Sequence, residues 1–306
     1  MTNPSKEGGT CHTGKDTDIR EGIVPGLSNE AYHADTEWLS STALKHYLPE
    51  RYSAGGSQDA LDFGTLFHSV TLEPDSLADS YAVLDAEKIG VKADGTPAQN
   101  PTMTKAWKDA VAEAEAGGRT VVAQSDWDRA HAMAEAVFAH GEAADLLNQA
   151  GAAPEVSLFA EDENGVKHKA RFDLLAPVGV DLKSTSAKPG TDSLARTVID
   201  YGYDLSAHHY REVARLAGYE LDDFAFVFCS KTLPYRVTVA YLDADFMARG
   251  AALRTLAIAR ATDPTQPAYD GATGRVTLRA PGWARINTPT PAGIPADFTW
   301  SIDDYS

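Results

Sequence analysis

Asp173, Asp181 and Lys183 are the residues whose types and spacing could most directly do chemistry. They lie in Lys169-Ala-Arg-Phe-Asp173 and in Val180-Asp-Leu-Lys-Ser184. Side chains alternate along an extended strand. Arg171 and Asp173 are therefore expected on one face, with Phe172 and Leu174 on the other. Asp181 and Lys183 share a face in the same way, opposite Val180 and Leu182. A turn signal, Ala176-Pro-Val-Gly179, separates the two segments. A hairpin centred near Pro177 sets Asp173 opposite Asp181, with Cβ atoms roughly 4.5–5.5 Å apart. Two carboxylates that close repel by about 4 kcal/mol at an effective dielectric near ~20. A hard divalent cation such as Mg²⁺, which prefers oxygen ligands, reverses that sign. Lys183, about 7 Å along the same face, would then stand near the reacting group. The chemistry expected of this set is metal-dependent phosphodiester hydrolysis. A solvated strand face with a surface ion pair would explain Asp181-Leu-Lys183 taken alone. The neighbouring strand with Asp173 and the polar run Ser184-Thr185-Ser186 tilt the reading towards a site.

Other residues could join it. His68 sits in the apolar stretch Leu61-Asp-Phe-Gly-Thr-Leu-Phe-His68, where a buried, satisfied histidine is the plain reading. Gly64, four residues earlier, leaves room there for close backbone approach. Tyr203, Ser206 and Tyr210 recur at i, i+3 and i+7, with Arg211 at the edge of that helical face. Core packing explains this spacing as well as a helix lining a DNA groove does. Glu155 could add a third carboxylate. However, a two-residue Asn164-Gly165 turn would place Val156 opposite Asp173 and put Glu155 on the wrong face. His208 and His209 diverge by about 100° on a helix and cannot chelate together.

These residues need a sheet with helices to hold them. A capped helical turn is expected at Ser28–His33 and a capped helix from Ser40 or Ser41 to Leu48, followed by an amphipathic segment over Asp59–Leu72 that carries Phe63, Leu66, Phe67 and Val70. A strand follows at Tyr81–Leu84, and the stretch from Val91 to Pro101 reads as loose. Ala-rich helices are expected near 103–116, 126–139 and 141–149. The pattern then becomes three antiparallel strands: Glu155–Phe159, Val166–Leu175 and Val180–Thr185. Helices near 191–200 and 205–217, strands 224–228 and 236–241, and a helix over 243–262 complete the order. This is an α+β plan with a mixed sheet. The expected organisation is a disordered tail over 1–22, a mainly helical part over 23–150, a sheet core over 151–262 and an irregular tail over 263–306. Residues 23–290 are expected to form one compact domain.

Composition bounds the partners. The chain has 306 residues and a net charge of −17, from 27 Lys and Arg against 44 Asp and Glu. That argues against broad coating of nucleic acid, because phosphate contacts need cations. Between Lys167 and Arg211 seven cations face five anions, a local balance of 7 − 5 = +2. A locally positive cleft in an acidic protein remains compatible with DNA cleavage. No apolar run approaches the roughly 18–20 residues of a membrane span. The first residues lack a signal-peptide pattern. Cys11 and Cys229, the two cysteines, make a disulfide framework or four-cysteine metal site unlikely chemistry, and a reducing cytoplasm is expected.

Together these pieces resemble the nuclease domain of the RecE recombination exonucleases, within the PD-(D/E)XK superfamily. The likeness runs from about Leu27 to Ala284. It is carried by Leu27-Ser-Asn-Glu-Ala-Tyr-His-Ala34, the Gly-x-x-x-His helix at Gly64–His68, Leu72-Glu-Pro74 and Arg171-Phe-Asp173. It continues in Asp181-Leu-Lys-Ser-Thr185, Tyr201-Gly-Tyr203 and Pro281-Gly-Trp-Ala284. The resemblance implies a PD-(D/E)XK core: a central mixed sheet flanked by helices, with an N-terminal helical region. It implies that His68, Asp173 and Asp181 hold Mg²⁺, or Mn²⁺ in its place, and that Lys183 positions or activates the attacking water. Tyr210 matches a tyrosine of the family's helix after the motif, while Ser206 stands where the family usually has glutamine. Ser184, Thr185, Ser206 and Arg211 are the expected DNA contacts. The implied activity is digestion of double-stranded DNA ends, 5′→3′, leaving single-stranded tails for recombination in a phage or prophage setting within a bacterial cytoplasm. A single-strand annealing protein as partner and a ring-shaped homo-oligomer follow from the resemblance alone. Another nuclease role within the superfamily, helicase-coupled or structure-specific, and a non-catalytic DNA-binding module are the competing readings.

Overall fold

Serine hydroxyls start the early helices. Ser28, Ser40 and Ser57 each accept the backbone N–H three residues on, from Ala31, Ala43 and Ala60, satisfying amides that have no partner within the helix. The computed structural model describes residues 21–48, 57–92, 94–96, 98–187 and 190–265. The expected tail up to residue 20 and the Pro281–Ala284 piece lie outside the described residues, all of which belong to one compact unit.

The elements of the first half are β1 (Gly22–Val24), α1 (Asn29–Ala34), α2 (Ser41–Lys45), α3 (Gln58–Leu72), α4 (Leu77–Ser80), β2 (Tyr81–Leu84) and α5 (Ala86–Ile89). They continue with α6 (Lys105–Ala116), β3 (Thr120–Ala123), α7 (Gln124–Ala139) and α8 (Gly141–Leu147). The second half holds β4 (Ala153–Glu161), β5 (Lys167–Leu175), β6 (Val178–Thr185), α9 (Thr191–Tyr201), α10 (Tyr203–Leu216), β7 (Asp223–Ser230), β8 (Val237–Tyr241) and α11 (Ala244–Ala261). Six strands form one sheet in the order β1-β4-β5-β6-β7-β8. Every neighbouring pair is antiparallel except β6 and β7. The expected α+β plan with a mixed sheet is the observed one.

Each face of the sheet carries its own apolar layer. On one, Leu174, Val180, Leu182, Ala225, Val227 and Cys229 pack against Phe63, Leu66, Phe67 and Val70 of α3 and Met133 and Val137 of α7. On the other, Phe172, Phe224, Phe226 and Phe228 meet Leu194 and Val198 of α9 and Ala207 and Val213 of α10. Full burial of each large side chain contributes about 1.5–3 kcal/mol, so these two layers dominate the stability. Helix α11 crosses α10 so closely at Gly250 that an added Cβ would lie 2.2 Å from the Asp204 carbonyl oxygen.

Three local expectations need correction. β1 and β3 were not anticipated. β1 is a three-residue strand at the end of a polar tail, and both strands form through distant partners, β4 and β2. The β4–β5 connection is a five-residue loop, because Asp162 accepts the N–H groups of Asn164 and Val166 and folds the chain around itself. Val156 therefore pairs with Phe172 and Pro154 with Leu174, which sets Glu155, not Val156, level with Asp173. Gly64 is not a point of tight packing, since a Cβ there would meet nothing within 4 Å.

A buried polar knot joins α10 to the sheet. The fully buried His209 sits with Nε2 3.0 Å from the Lys169 carbonyl oxygen and accepts Arg254 Nε at Nδ1, 3.2 Å away. His168, also fully buried, stacks edge-on to it and meets Asp162 Oδ2 at 3.0 Å. Burial, with the Arg254 charge beside it, holds the His209 pKa well below its ordinary value. The unfolded chain then binds a proton that the folded chain refuses. This stability is present above the ordinary histidine pKa and is lost as pH falls below it. We expect acidification from pH 7.5 to 5 to lower the melting temperature, and His209→Gln to flatten that slope in thermal melts across pH. We expect Gly250→Ala to cost about 1–3 kcal/mol in denaturant titration through overpacking against Asp204.

Candidate active site

The strands β5 and β6 part at the point where the acids sit. Leu174 pairs with Val180, the register of a hairpin centred at Pro177. One step further the backbone groups of Leu182 go to side chains. Its N–H donates to Asp173 Oδ2 at 2.7 Å, and its carbonyl oxygen lies 2.6 Å from His68 Nε2. A carbonyl can only accept, so His68 Nε2 carries a proton. The strand pair β4–β5 is kinked at the same level. Glu155 has a left-handed φ of 52°, and Phe172 and Leu174 pack on opposite faces of the sheet although two residues apart. The simple alternation expected for Phe172 and Leu174 therefore breaks at Asp173.

The kink gathers three ligating groups. Atoms of His68, Glu155 and Asp173 lie within 4.8 Å of one another, the group of this kind found among the described residues. His68 Nδ1 stands 3.6 Å from Asp173 Oδ1. Arg171 supports Glu155 through Nε at 2.7 Å, and its Nη1 donates to the Leu27 carbonyl at 2.6 Å. One imidazole nitrogen facing two carboxylates is a donor set that suits a divalent cation of the Mg²⁺ or Mn²⁺ type. Burial raises the Asp173 pKa to about 6, against the pull of His68 and with help from Asp181.

Asp181 is turned differently from the expectation. Its carboxylate holds the Lys183 ammonium in a nearly buried ion pair. Burial by itself would lower the Lys183 pKa, but the Asp181 and Asp173 charges outweigh it and push it upward. Lys183 therefore stays cationic, which suits charge stabilisation better than taking a proton from water.

A cleft of about 900 Å³ opens on this corner. His68, Asp181 and Lys183 line it, together with Ser184 and Thr185 at the end of β6 and Tyr203, Ser206 and Tyr210 of α10. The expected face of α10 is thus the one presented. Ser206 is buried, and its hydroxyl donates back to the Gly202 carbonyl at 3.3 Å, so it offers little to a ligand. Tyr210 stacks on Phe224 at 5.6 Å and shares a hydrogen bond with Ser41. Arg211 is the misplaced expectation. Its guanidinium pairs with Asp223 at 2.8 Å, at the opposite end of β7 from the cleft, because the next position on a helix turns by about 100°.

Sequence reasoning missed Lys45. It lies on α2, lines the cleft, and places Nζ 5.7 Å from the Tyr203 ring centroid, while Lys183 Nζ lies 5.4 Å from the same centroid. Burial, with Lys183 beside it, lowers its pKa to about 8. The one local signal was Ser41 and Lys45 at i and i+4, which puts both on one side of a short helix.

For Asp173, a raised folded-state pKa means stability is present below the ordinary carboxylate pKa and lost as pH rises through about 6. We expect Asp173→Asn, which keeps an acceptor for the Leu182 N–H, to raise the melting temperature of metal-free protein at pH 7.5. The gain should vanish below pH 4.

No protein of curated function matches the sequence. A protein from Eubacterium rectale, whose crystal structure at 2.19 Å is described as that of a "Putative exonuclease", superposes with a TM-score of 0.49 at 16% identity. The match covers 76% of this chain and 84% of that one. Residues 38–263 match the family described as a PDDEXK-like domain of unknown function (DUF3799). That span includes β4 to β7 with His68, Glu155, Asp173, Asp181 and Lys183, and the chain belongs to this family of PD-(D/E)XK-like domains.

Proposed function

We propose that the chain is a divalent-metal-dependent exonuclease acting on double-stranded DNA ends, of the RecE type. It digests one strand 5′→3′ and leaves single-stranded tails for recombination. The observation that carries the reading is the donor trio His68, Glu155 and Asp173 beside the Asp181–Lys183 ion pair, at the strand fork of a PD-(D/E)XK-like domain. The exonuclease polarity, the phage or prophage setting, the bacterial cytoplasm, the annealing partner and a ring-shaped homo-oligomer rest on the resemblance to RecE. No described helix is long and apolar enough to cross a membrane.

Each residue has a definite task in this reading. His68, Asp173 and Glu155 would hold the cation, and Asp181, whose carboxylate pairs with Lys183, lies outside that trio in this structure. When bound, Mg²⁺ or Mn²⁺ supplies a water of lowered pKa and offsets charge on the phosphoryl oxygens. Lys183, kept protonated by its acidic neighbours, sets a positive charge against the same oxygens. Tyr210, whose phenol is kept protonated by burial and then by the Asp181 charge, offers an O–H donor from the cleft wall. Ser184 and Thr185 offer hydroxyls where β6 ends in the cleft.

End-labelled linear duplex, incubated with Mg²⁺, with Mn²⁺ and with chelator, tests the proposal. We expect metal-dependent release of nucleotides from linear DNA and none from covalently closed circles. Asp181→Ala, Lys183→Ala and His68→Ala should each lower kcat by about 10²-fold or more. Glu155→Gln should fall with them. Full turnover by the Lys183 or Asp181 variant would remove the assigned site, and cutting of closed circles would turn the reading towards an endonuclease.

A further inference from the structure

We infer that Tyr201 is a stacking platform for an unpaired nucleobase of the strand drawn into the cleft, an inference that rests on the nuclease reading above. Four aromatic rings cluster where the sheet meets α9 and α10, with Tyr203 close to both Phe226 and Phe228, its ring 6.3 Å and 37° from the latter. Phe228 and Phe226 lie 5.8 Å apart and 24° from parallel, Phe226 and Tyr203 5.6 Å and 25°, and Tyr203 and Tyr201 5.5 Å and 18°. The first two are buried, whereas Tyr201 is 50% exposed and lines the cleft. Residues two apart on a helix face opposite sides. Gly202, between the tyrosines, is left-handed at φ 60° and ends α9 before α10 begins, which is what lets the rings lie parallel. Tyr201 thus packs its ring against Tyr203 and is half exposed in the cleft.

Charge explains why a base would be gripped there. Among the described residues the cationic side chains lining the cleft are Lys45, Lys183 and Lys231, Lys183 is paired with Asp181, and the chain carries −17 overall. Phosphate contacts alone give such a surface little affinity for a polyanion. Stacking on an aromatic face works without charge and accepts any base. The geometry also keeps the platform near the chemistry. Lys183 Nζ is 5.4 Å from the Tyr203 ring, and one further ring separation reaches Tyr201.

The test measures binding by fluorescence anisotropy in chelator, using a labelled duplex with one unpaired terminal base and the same duplex with an abasic end. For the wild-type chain the abasic end should bind about 5- to 100-fold more weakly. Tyr201→Ala should lose the same factor on the normal end and show no abasic penalty, while Tyr201→Trp keeps both. A 2-aminopurine at the unpaired position should be quenched on binding wild-type protein, a readout that needs no variant. An equal abasic penalty in wild type and Tyr201→Ala, no penalty in wild type, or unquenched 2-aminopurine would each overturn the platform. Failure of the nuclease reading is separate: it would appear as no Mg²⁺- or Mn²⁺-dependent hydrolysis by wild type, whatever the abasic penalty.

Discussion

The structure turns on the Leu182 peptide. Its N–H and carbonyl face the gap where β5 leaves β6, and buried backbone groups of this kind must find partners. Asp173 and His68 supply them, one as acceptor and one as donor. The same two side chains thereby complete the sheet and form the core of the donor trio. The fork could not close without displacing them, and they could not move far without stranding Leu182. Glu155 is drawn in by the matching kink of β4, at a left-handed backbone position that costs roughly 1–2 kcal/mol for a residue with a side chain. Its ion pair with Arg171 offsets part of that cost.

Electrostatics around the fork follows from the same arrangement. Asp173, buried among acids, is raised, whereas Lys183 gains from those acids and stays charged. Lys45, buried and with Lys183 beside it, is lowered. The corner therefore holds surplus negative charge deep in the fork and positive charge towards the cleft, where both ammonium groups lie near the Tyr203 ring. That polarity fits a cation within and a phosphate outside.

Much of the architecture is local enough to be legible in residue order. The caps at Ser28 and Ser40, the Phe63–Leu66–Phe67–Val70 stripe, the hairpin centre at Pro177 and the alternation of β6 are all short-range patterns, and each forms as expected. β1 and β3 escape such reading because three- and four-residue strands carry no pattern of their own and exist only through partners far along the chain. Arg211 misleads for a simpler reason: one helical position changes the direction of a side chain, and its ion partner is decided by what packs opposite.

The amino-acid order by itself determined the acids, the lysine and the histidine that could do the chemistry, and the strands and helix that carry them, because type and periodicity are written residue by residue. Tertiary structure decided which of them meet. The Asp162 loop set the register that brings Glu155 level with Asp173. Helix packing laid His68 against Leu182, and the pairing of Asp181 with Lys183 turned that carboxylate aside. Contacts across more than a hundred residues depend on how whole layers pack, and no window of sequence contains that information.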